Sequence, residues 1–400
     1  MGAKLLKLDD DIALPMQHWR QTLHMHPELA FQEHRTALLI ADVLRKLELD
    51  VTTGIAHTGV VATLRNGDGP SIGLRVAIDA TPQQEQGRLP HRSRHSICMH
   101  ACGHDGHAAM LLGAATQLAR HRHFRGTLHF IFQPAQESGE GAAAMLADNL
   151  LERFPCDAIY GMHNWPGLAL GKFGIASGIA TAALDYFEIN VHGSGAHISQ
   201  PHQGIDSLLC ASYIVVALQT IASRRIDPQD ATLVAVTQLL AGDQQHVVPR
   251  HAVIRGSIRN LTPATRMRVQ EIMAEIATFT ATAHGACADI VFSRPTPATI
   301  NTGHEAGLAA SAARRVAGRH AVVATCPPAL AAEDFAHMLQ QRPGAYVLLG
   351  VDPPRKKTLP LNHACYDFND QALGIGAGFF VAIAEQYAGA EQQPRQHAHD

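Results

Sequence analysis

Four hundred residues, 46% of them apolar, exceed a usual single domain and can fill a sizeable core, so two domains are expected. The formal net charge of -3 leaves no electrostatic footprint for nucleic acid or an acidic membrane surface. No apolar run reaches the ~18 residues of a membrane span and Met1 to Asp11 lack a signal peptide's apolar stretch, so a cytoplasmic protein is the expectation. Seven scattered cysteines, at 98, 102, 156, 210, 287, 326 and 365, are odd in number and argue against a disulfide framework.

Residues 12–49 read as two helices broken near His26-Pro27, because proline disfavours a continuing helix. Short β-branched or apolar runs follow at Val60–Leu64, Ile72–Asp79, Thr127–Phe132 and Ala158–Tyr160, alternating with helical stretches after His107 and at Gly141–Leu151. That alternation predicts an α/β fold, a mostly parallel sheet flanked by helices. Working residues in such sheets collect where strands end. Asp79, Gln136-Glu137 and His163 each follow an apolar run and are candidates to meet at one edge.

The densest chemistry lies at Met99–Gly113, where thiol, imidazoles and carboxylate precede an apolar helical run. Cys102 and His104 are two apart, so in an extended loop their side chains leave the same face and can close on one ion. Thiolate and imidazole together suit a zinc-like metal. Asp105 or Gly106 is placed to cap a helix from about His107 to Arg120. With 26 histidines in the chain, the alternative is a polar helix start with incidental imidazoles.

From about Leu184 the pattern changes to strands at Tyr186–Val191, Leu233–Leu239 and His251–Ile258, with helices at Ile205–Ala222 and Pro263–His284. This predicts an inserted α+β module over 184–289, with the first domain split into 1–183 and 290–388. Strand and helix signals of the first kind resume after Asp289, and the stretches Glu305–Gly318, Ala332–Gln340, Ala345–Leu349 and Ala372–Tyr387 complete that domain, while a Gln-, Pro- and His-rich tail, 389–400, reads as disordered.

Nine short motifs carry a resemblance. They include Leu23-His-Met-His-Pro-Glu-Leu29, Met99-His-Ala-Cys-Gly-His-Asp-Gly-His107, Phe132-Gln-Pro-Ala-Gln-Glu137, Gly161-Met-His-Asn-Trp165, Gly193-Ser-Gly-Ala-His197, Val247-Val-Pro249, Glu333-Asp-Phe335 and Tyr366-Asp-Phe-Asn-Asp370. In this order, over nearly the whole chain, they resemble the metal-dependent amidohydrolases of the hippurate hydrolase, auxin-conjugate hydrolase and N-acyl-amino-acid aminoacylase group. The resemblance implies a zinc-aminopeptidase-like catalytic domain with a ferredoxin-like dimerisation or lid insertion. It implies two divalent ions per subunit, zinc or manganese, held by Cys102, His104, Glu137, His163 and a C-terminal histidine, here His363. Relatives often place that histidine where this chain has Asn362.

Further roles follow from the same resemblance. Asp79 lies behind the metals and orients their ligands. Arg259 grips a substrate carboxylate with its planar fork, and His246 stands beside it where relatives usually carry asparagine. His197 reaches into the site of a second subunit and donates to the developing oxyanion, which makes the protein a homodimer or a higher homo-oligomer. Glu28 and Glu33 are expected to cap or brace the first helices. Glu333-Asp334 is expected at a helix N-terminus, and His91, Arg92, His95 and His202 in exposed loops.

Two departures stand out. Position 77, acidic in many relatives, is Ala77. Gln136 occupies the place of the glutamate that usually serves as general base, and an amide does not accept a proton near pH 7. Three readings of Gln136 follow: an active subgroup with another base, an engineered trap, or a chain that binds without hydrolysing. The functions in play are cleavage of N-acyl (acetyl, benzoyl or similar) amino acids, a dipeptidase of the same fold, and a catalytically impaired carboxylate binder.

Overall fold

The computed structural model describes residues 5–355 and 357–390, so the expected tail lies from 391 onward outside the described residues. The chain divides into two compact units, one of Met1–Ala180, Ile300–Pro327 and Asp334–Asp400, the other of Thr181–Thr299 and Pro328–Glu333.

The larger unit is built on a seven-stranded sheet. Its strands are β1 (Asp50–Ile55), β2 (Gly59–Asn66), β3 (Ser71–Ala77), β4 (Gly126–Gln133), β5 (Ala158–Ala169), β6 (Phe173–Gly174) and β7 (Gly344–Asp352), in the order β1-β2-β4-β3-β5-β7-β6. The four middle strands, β4, β3, β5 and β7, run parallel, and the outer pairings are antiparallel. The middle strands are buried on both faces, so they read in sequence as unbroken apolar runs. Strand β1, Asp-Val-Thr-Thr-Gly-Ile, is largely solvated and carries no such signal. It joins β2 through a tight turn with Ala56 and His57 at positive φ, the twist a hairpin requires.

Helices α1 (Ala13–Met25), α2 (His34–Lys46), α3 (His104–His121), α4 (Gly141–Ala147), α5 (Gly303–Ala317) and α6 (Leu373–Ala390) flank the sheet. Helix α3 is buried continuously from His104 to Thr116, because Ala108, Ala109, Leu111, Leu112, Ala114 and Ala115 leave no polar face between its first and last turns. It packs on α1, α6 and β3, in a core with Ile40, Leu74, Phe130, Phe132 and Phe380. Each fully buried side chain of this size stabilises the fold by roughly 1.5–3 kcal/mol.

Two expected helices are shorter than their patterns. The stretch read as Gly141–Leu151 breaks after Ala147, where Asn149 turns to φ 57° and the Asp148 side chain accepts the Ala56 N–H at 3.0 Å. The stretch read as Ala332–Gln340 is helical only over Ala336–Leu339, because the Asp334 side chain is engaged elsewhere in the larger unit.

The smaller unit is an antiparallel four-stranded sheet in the order Thr232–Ala241, His251–Asn260, Ala183–His192, Cys287–Thr296. The last strand runs across residue 289 and is held by its ladder to Ala183–His192. Phe187, Ile189, Val191, Ile254 and Ile258 point to one face and pack on Ile214, Leu218 and Ile272 of helices Ser207–Leu218 and Pro263–Ala283. Both helices are capped: Asp206 accepts the Leu209 N–H, and Thr262 accepts the Thr265 N–H with Pro263 at the first turn. Among the described residues, no helix is long and apolar enough to cross a membrane.

Candidate metal centre

Helix α3 begins at His104, three residues before the expected start at about His107. The reason is Gly103, whose φ of 87° lies in the left-handed region and whose Cβ, if present, would meet Asn164 Oδ1 at 2.5 Å. Cys102 therefore precedes the helix and His104 sits in its first turn. Asp105 makes no capping bond to the helix; its Oδ2 lies 2.8 Å from His24 Nδ1 instead.

Cys102, His104 and His163 come together, with one donor atom from each within 4.8 Å of the others. The Cys102 Sγ to His163 Nε2 distance is 3.6 Å. A sulfur and a nitrogen bound to one tetrahedral zinc-class ion stand ~3.5 Å apart, so this pair fits such an ion without rearrangement. His104 Nδ1 donates to Asp79, at 2.9 Å from its backbone oxygen and 3.0 Å from Oδ1, which turns Nε2 toward the donor group. His163 Nδ1 donates to the Asn164 carbonyl at 2.8 Å, which sets its Nε2 in the same way. Second partners that hold a ligand's tautomer are typical of metal-binding imidazoles. Glu137 Oε1 lies 3.9 Å from His104 Nε2, so a carboxylate borders the group. Buried His107 packs against both imidazoles, with ring centroids 4.5 Å from His163 and 5.4 Å from His104. Burial, then the neighbouring imidazoles, holds its pKa well below the ordinary histidine value.

The segment carrying Gln136 and Glu137 is gripped by three buried carboxylates. Glu33 Oε1 accepts the Ala135 N–H at 2.8 Å, Asp79 Oδ2 accepts the Glu137 N–H at 2.7 Å, and Asp334 Oδ2 accepts the Ala142 N–H at 2.9 Å. Ala135 is held at φ 54°, a conformation that costs an L-residue on the order of 1 kcal/mol. Glu33 makes no side-chain cap on α2; its other oxygen takes the Thr58 hydroxyl at 2.5 Å, and burial raises its pKa. Glu28 does brace α2, accepting the Thr36 N–H at 2.8 Å. Asp334 is held in turn by Gln133 Nε2 and by Arg75, at 3.0 Å.

A second buried network backs the first turn of α3. Arg20 reaches Asp370 and Asp367, each at 2.7 Å, and lies 3.8 Å from Asp105. His24 stands between Asp105 and Glu85; burial alone lowers its pKa, but the two carboxylates raise it to about 9. Asp105, although buried, is drawn well below the ordinary carboxylate range by His24, His100 and Arg20. His91, expected in an exposed loop, lies 3.0 Å from Asp367. His24, His107 and Asp334 lie inside the sequence motifs and Glu33 lies four residues beyond the first of them, but only the fold shows what they hold.

The remaining expected residues are placed as follows. Gln136 is half-buried, and its carbonyl accepts the Gly139 N–H. His363 is exposed in a turn, its Nδ1 accepting the Cys365 N–H at 3.1 Å, and it is not part of the Cys102 group. In the smaller unit His197 and His246 are both exposed, with ring centroids 6.5 Å apart, where Ala196–His197 pairs with Val247–Val248. Arg259 donates to the Leu330 carbonyl at 2.8 Å.

Residues 73–386 match the family described as peptidase family M20/M25/M40, and the chain belongs to it. It is 36% identical over 369 residues to a hippurate hydrolase of Campylobacter jejuni, covering 92% of this chain and 95% of that one. It is 34% identical to an N-acetyl-L-cysteine deacetylase of Bacillus subtilis, with 90% and 85% covered. A crystal structure of a dinuclear metal-binding M20 peptidase from Bacillus subtilis superposes with a TM-score of 0.82 at 32% identity, over 95% of this chain and 99% of that one.

Proposed function

We propose that this protein is a metal-dependent hydrolase that splits the amide bond of N-acyl amino acids, such as acetyl or benzoyl derivatives, into a carboxylate and a free amino acid. The observation that carries this reading is the convergence of Cys102, His104 and His163, bordered by Glu137 and oriented by Asp79, in a chain of the M20 family. The mixed donor set suits two divalent ions of the zinc or manganese class, with His363 assigned as a further ligand. Such ions, when bound, polarise a carbonyl and acidify water.

The protein's own residues divide the remaining work. Arg259 presents a planar fork that pairs with a free carboxylate and so selects an amino-acid leaving group, and His246 is assigned near that carboxylate. His197 donates to the oxygen that gains charge, from one subunit into another's site. A homodimer fits this arrangement, and it is supported by exposed Leu208, Leu209, Tyr213 and Val216 on one helix and by the unpaired edge of the Thr232–Ala241 strand. Gln136 hydrogen-bonds without taking the proton, so native turnover proceeds without the general base that a carboxylate at this place supplies. Three buried carboxylates spent on holding this segment favour a working site over a silent binder, since burying such groups is costly unless each is satisfied.

The test is release of free amino acid from panels of N-acetyl and N-benzoyl amino acids and dipeptides, by the native protein and Gln136→Glu at matched metal loading. Native turnover of the acyl panel is expected, rising in Gln136→Glu by part of the ~10²–10⁴ that a general base supplies. Turnover of dipeptides alone marks a dipeptidase, and silence of both proteins on every panel contradicts the reading.

A further inference from the structure

The smaller unit carries a second array of metal-binding side chains, unrelated to Cys102. His251, His192 and Cys287 are direct partners across three adjacent antiparallel strands: His251 pairs with His192, and His192 pairs with Cys287. Residues directly opposite on antiparallel strands share a sheet face and have Cβ atoms ~4.5–5.5 Å apart. Asp289, two residues beyond Cys287, lies on the same face, and its Oδ2 is 3.2 Å from His192 Nε2. The His192 and His251 rings are 5.1 Å apart. All four side chains are exposed, on the face opposite the one that packs on helices Ser207–Leu218 and Pro263–Ala283.

We infer that His192, Asp289, Cys287 and His251 form a surface site for a divalent ion of the zinc class. The donor chemistry is that of a borderline metal: two imidazoles, one thiol and one carboxylate. An imidazole nitrogen and a carboxylate oxygen on one tetrahedral ion stand ~3.3 Å apart, and the His192–Asp289 pair already has that spacing. Cys287 and His251 flank His192 and reach the ion by turning between staggered side-chain rotamers, a motion exposed side chains make freely. Cys287 is a free thiol, and binding replaces its proton with the metal. The site does not depend on amide hydrolysis, and none of its residues belongs to the catalytic assignment.

The probe is zinc itself, added to protein whose main centre is already metal-loaded, and the readout is alkylation of Cys287 by iodoacetamide, located by peptide mass spectrometry. Micromolar zinc is expected to slow alkylation of Cys287 roughly tenfold or more, because the thiolate is then coordinated. His192→Ala and Asp289→Asn are expected to remove that protection and to leave turnover unchanged. Alkylation of Cys287 unaffected by zinc up to about 1 mM overturns the proposal, as does full protection persisting in His192→Ala.

Discussion

Asp79 stands 3.0 Å from Nδ1 of His104 through Oδ1 and 2.9 Å through its backbone oxygen, and these two contacts together decide which imidazole nitrogen faces Cys102 and His163. The other oxygen of Asp79 holds the Glu137 N–H, so one carboxylate orients two of the assigned ligands. Asp79→Asn retains the shape but weakens both contacts, and a loss of ~10–100-fold in metal affinity is expected. Competition with a chromogenic chelator measures it. Native affinity in Asp79→Asn means that the orientation of His104 is set elsewhere.

Glu33 supplies acceptors to two buried donors, the Ala135 N–H and the Thr58 hydroxyl. Glu33→Ala strands both, each costing about 1–3 kcal/mol, whereas Glu33→Gln keeps an oxygen for Ala135 and an amide for Thr58. Urea titrations are expected to rank the stabilities native, then Glu33→Gln, then Glu33→Ala by a wide margin. Hydrogen exchange is expected to quicken first at Ala135. Equal losses in the two variants mean that the hydrogen bonds carry no weight.

Two buried histidines give stability opposite slopes with pH. His24 is raised to about 9 in the fold, so its contribution is complete below its unfolded value of about 6.5 and is lost as pH rises through 9. Burial, with Arg65 nearby, lowers His129 to about 4, beside the Thr63 hydroxyl at 2.9 Å. Its contribution is complete above about 6.5 and is lost as pH falls toward 4. Each limb amounts to about 3 kcal/mol. Unfolding free energies at pH of about 5, 7 and 9.5 are expected to peak in the middle. His24→Met is expected to flatten the alkaline limb and His129→Phe the acid one; limbs unchanged in these variants rule out the two groups as the cause.

What was legible in the sequence was local. β3, β4 and β7 are buried on both faces and read as continuous apolar runs, and the Cys102-x-His104 spacing places two donors together wherever the chain goes. The start of α3 was misread because it depends on Gly103 meeting Asn164, a contact that no periodicity encodes. Strand β1 was missed because its polar residues are solvated. Glu33 looked like a cap and Asp334 like a helix start, yet they hold amides 102 and 192 residues away. Such carboxylate-to-backbone contacts follow no sequence period, so only the folded chain reveals them.

The most direct measurement is metal content and turnover of an N-acyl amino acid in Cys102→Ser and Cys98→Ser, compared with the native protein. Cys98 is a fair control, being buried nearby with its thiol on the Pro27 carbonyl at 3.3 Å and no part of the donor group. If Cys102 is a thiolate ligand beside His104 and His163, Cys102→Ser loses most of its metal and its hydrolysis, while Cys98→Ser keeps both. Equal metal content in the two variants, with hydrolysis retained in Cys102→Ser, contradicts the assignment of this group as the catalytic centre.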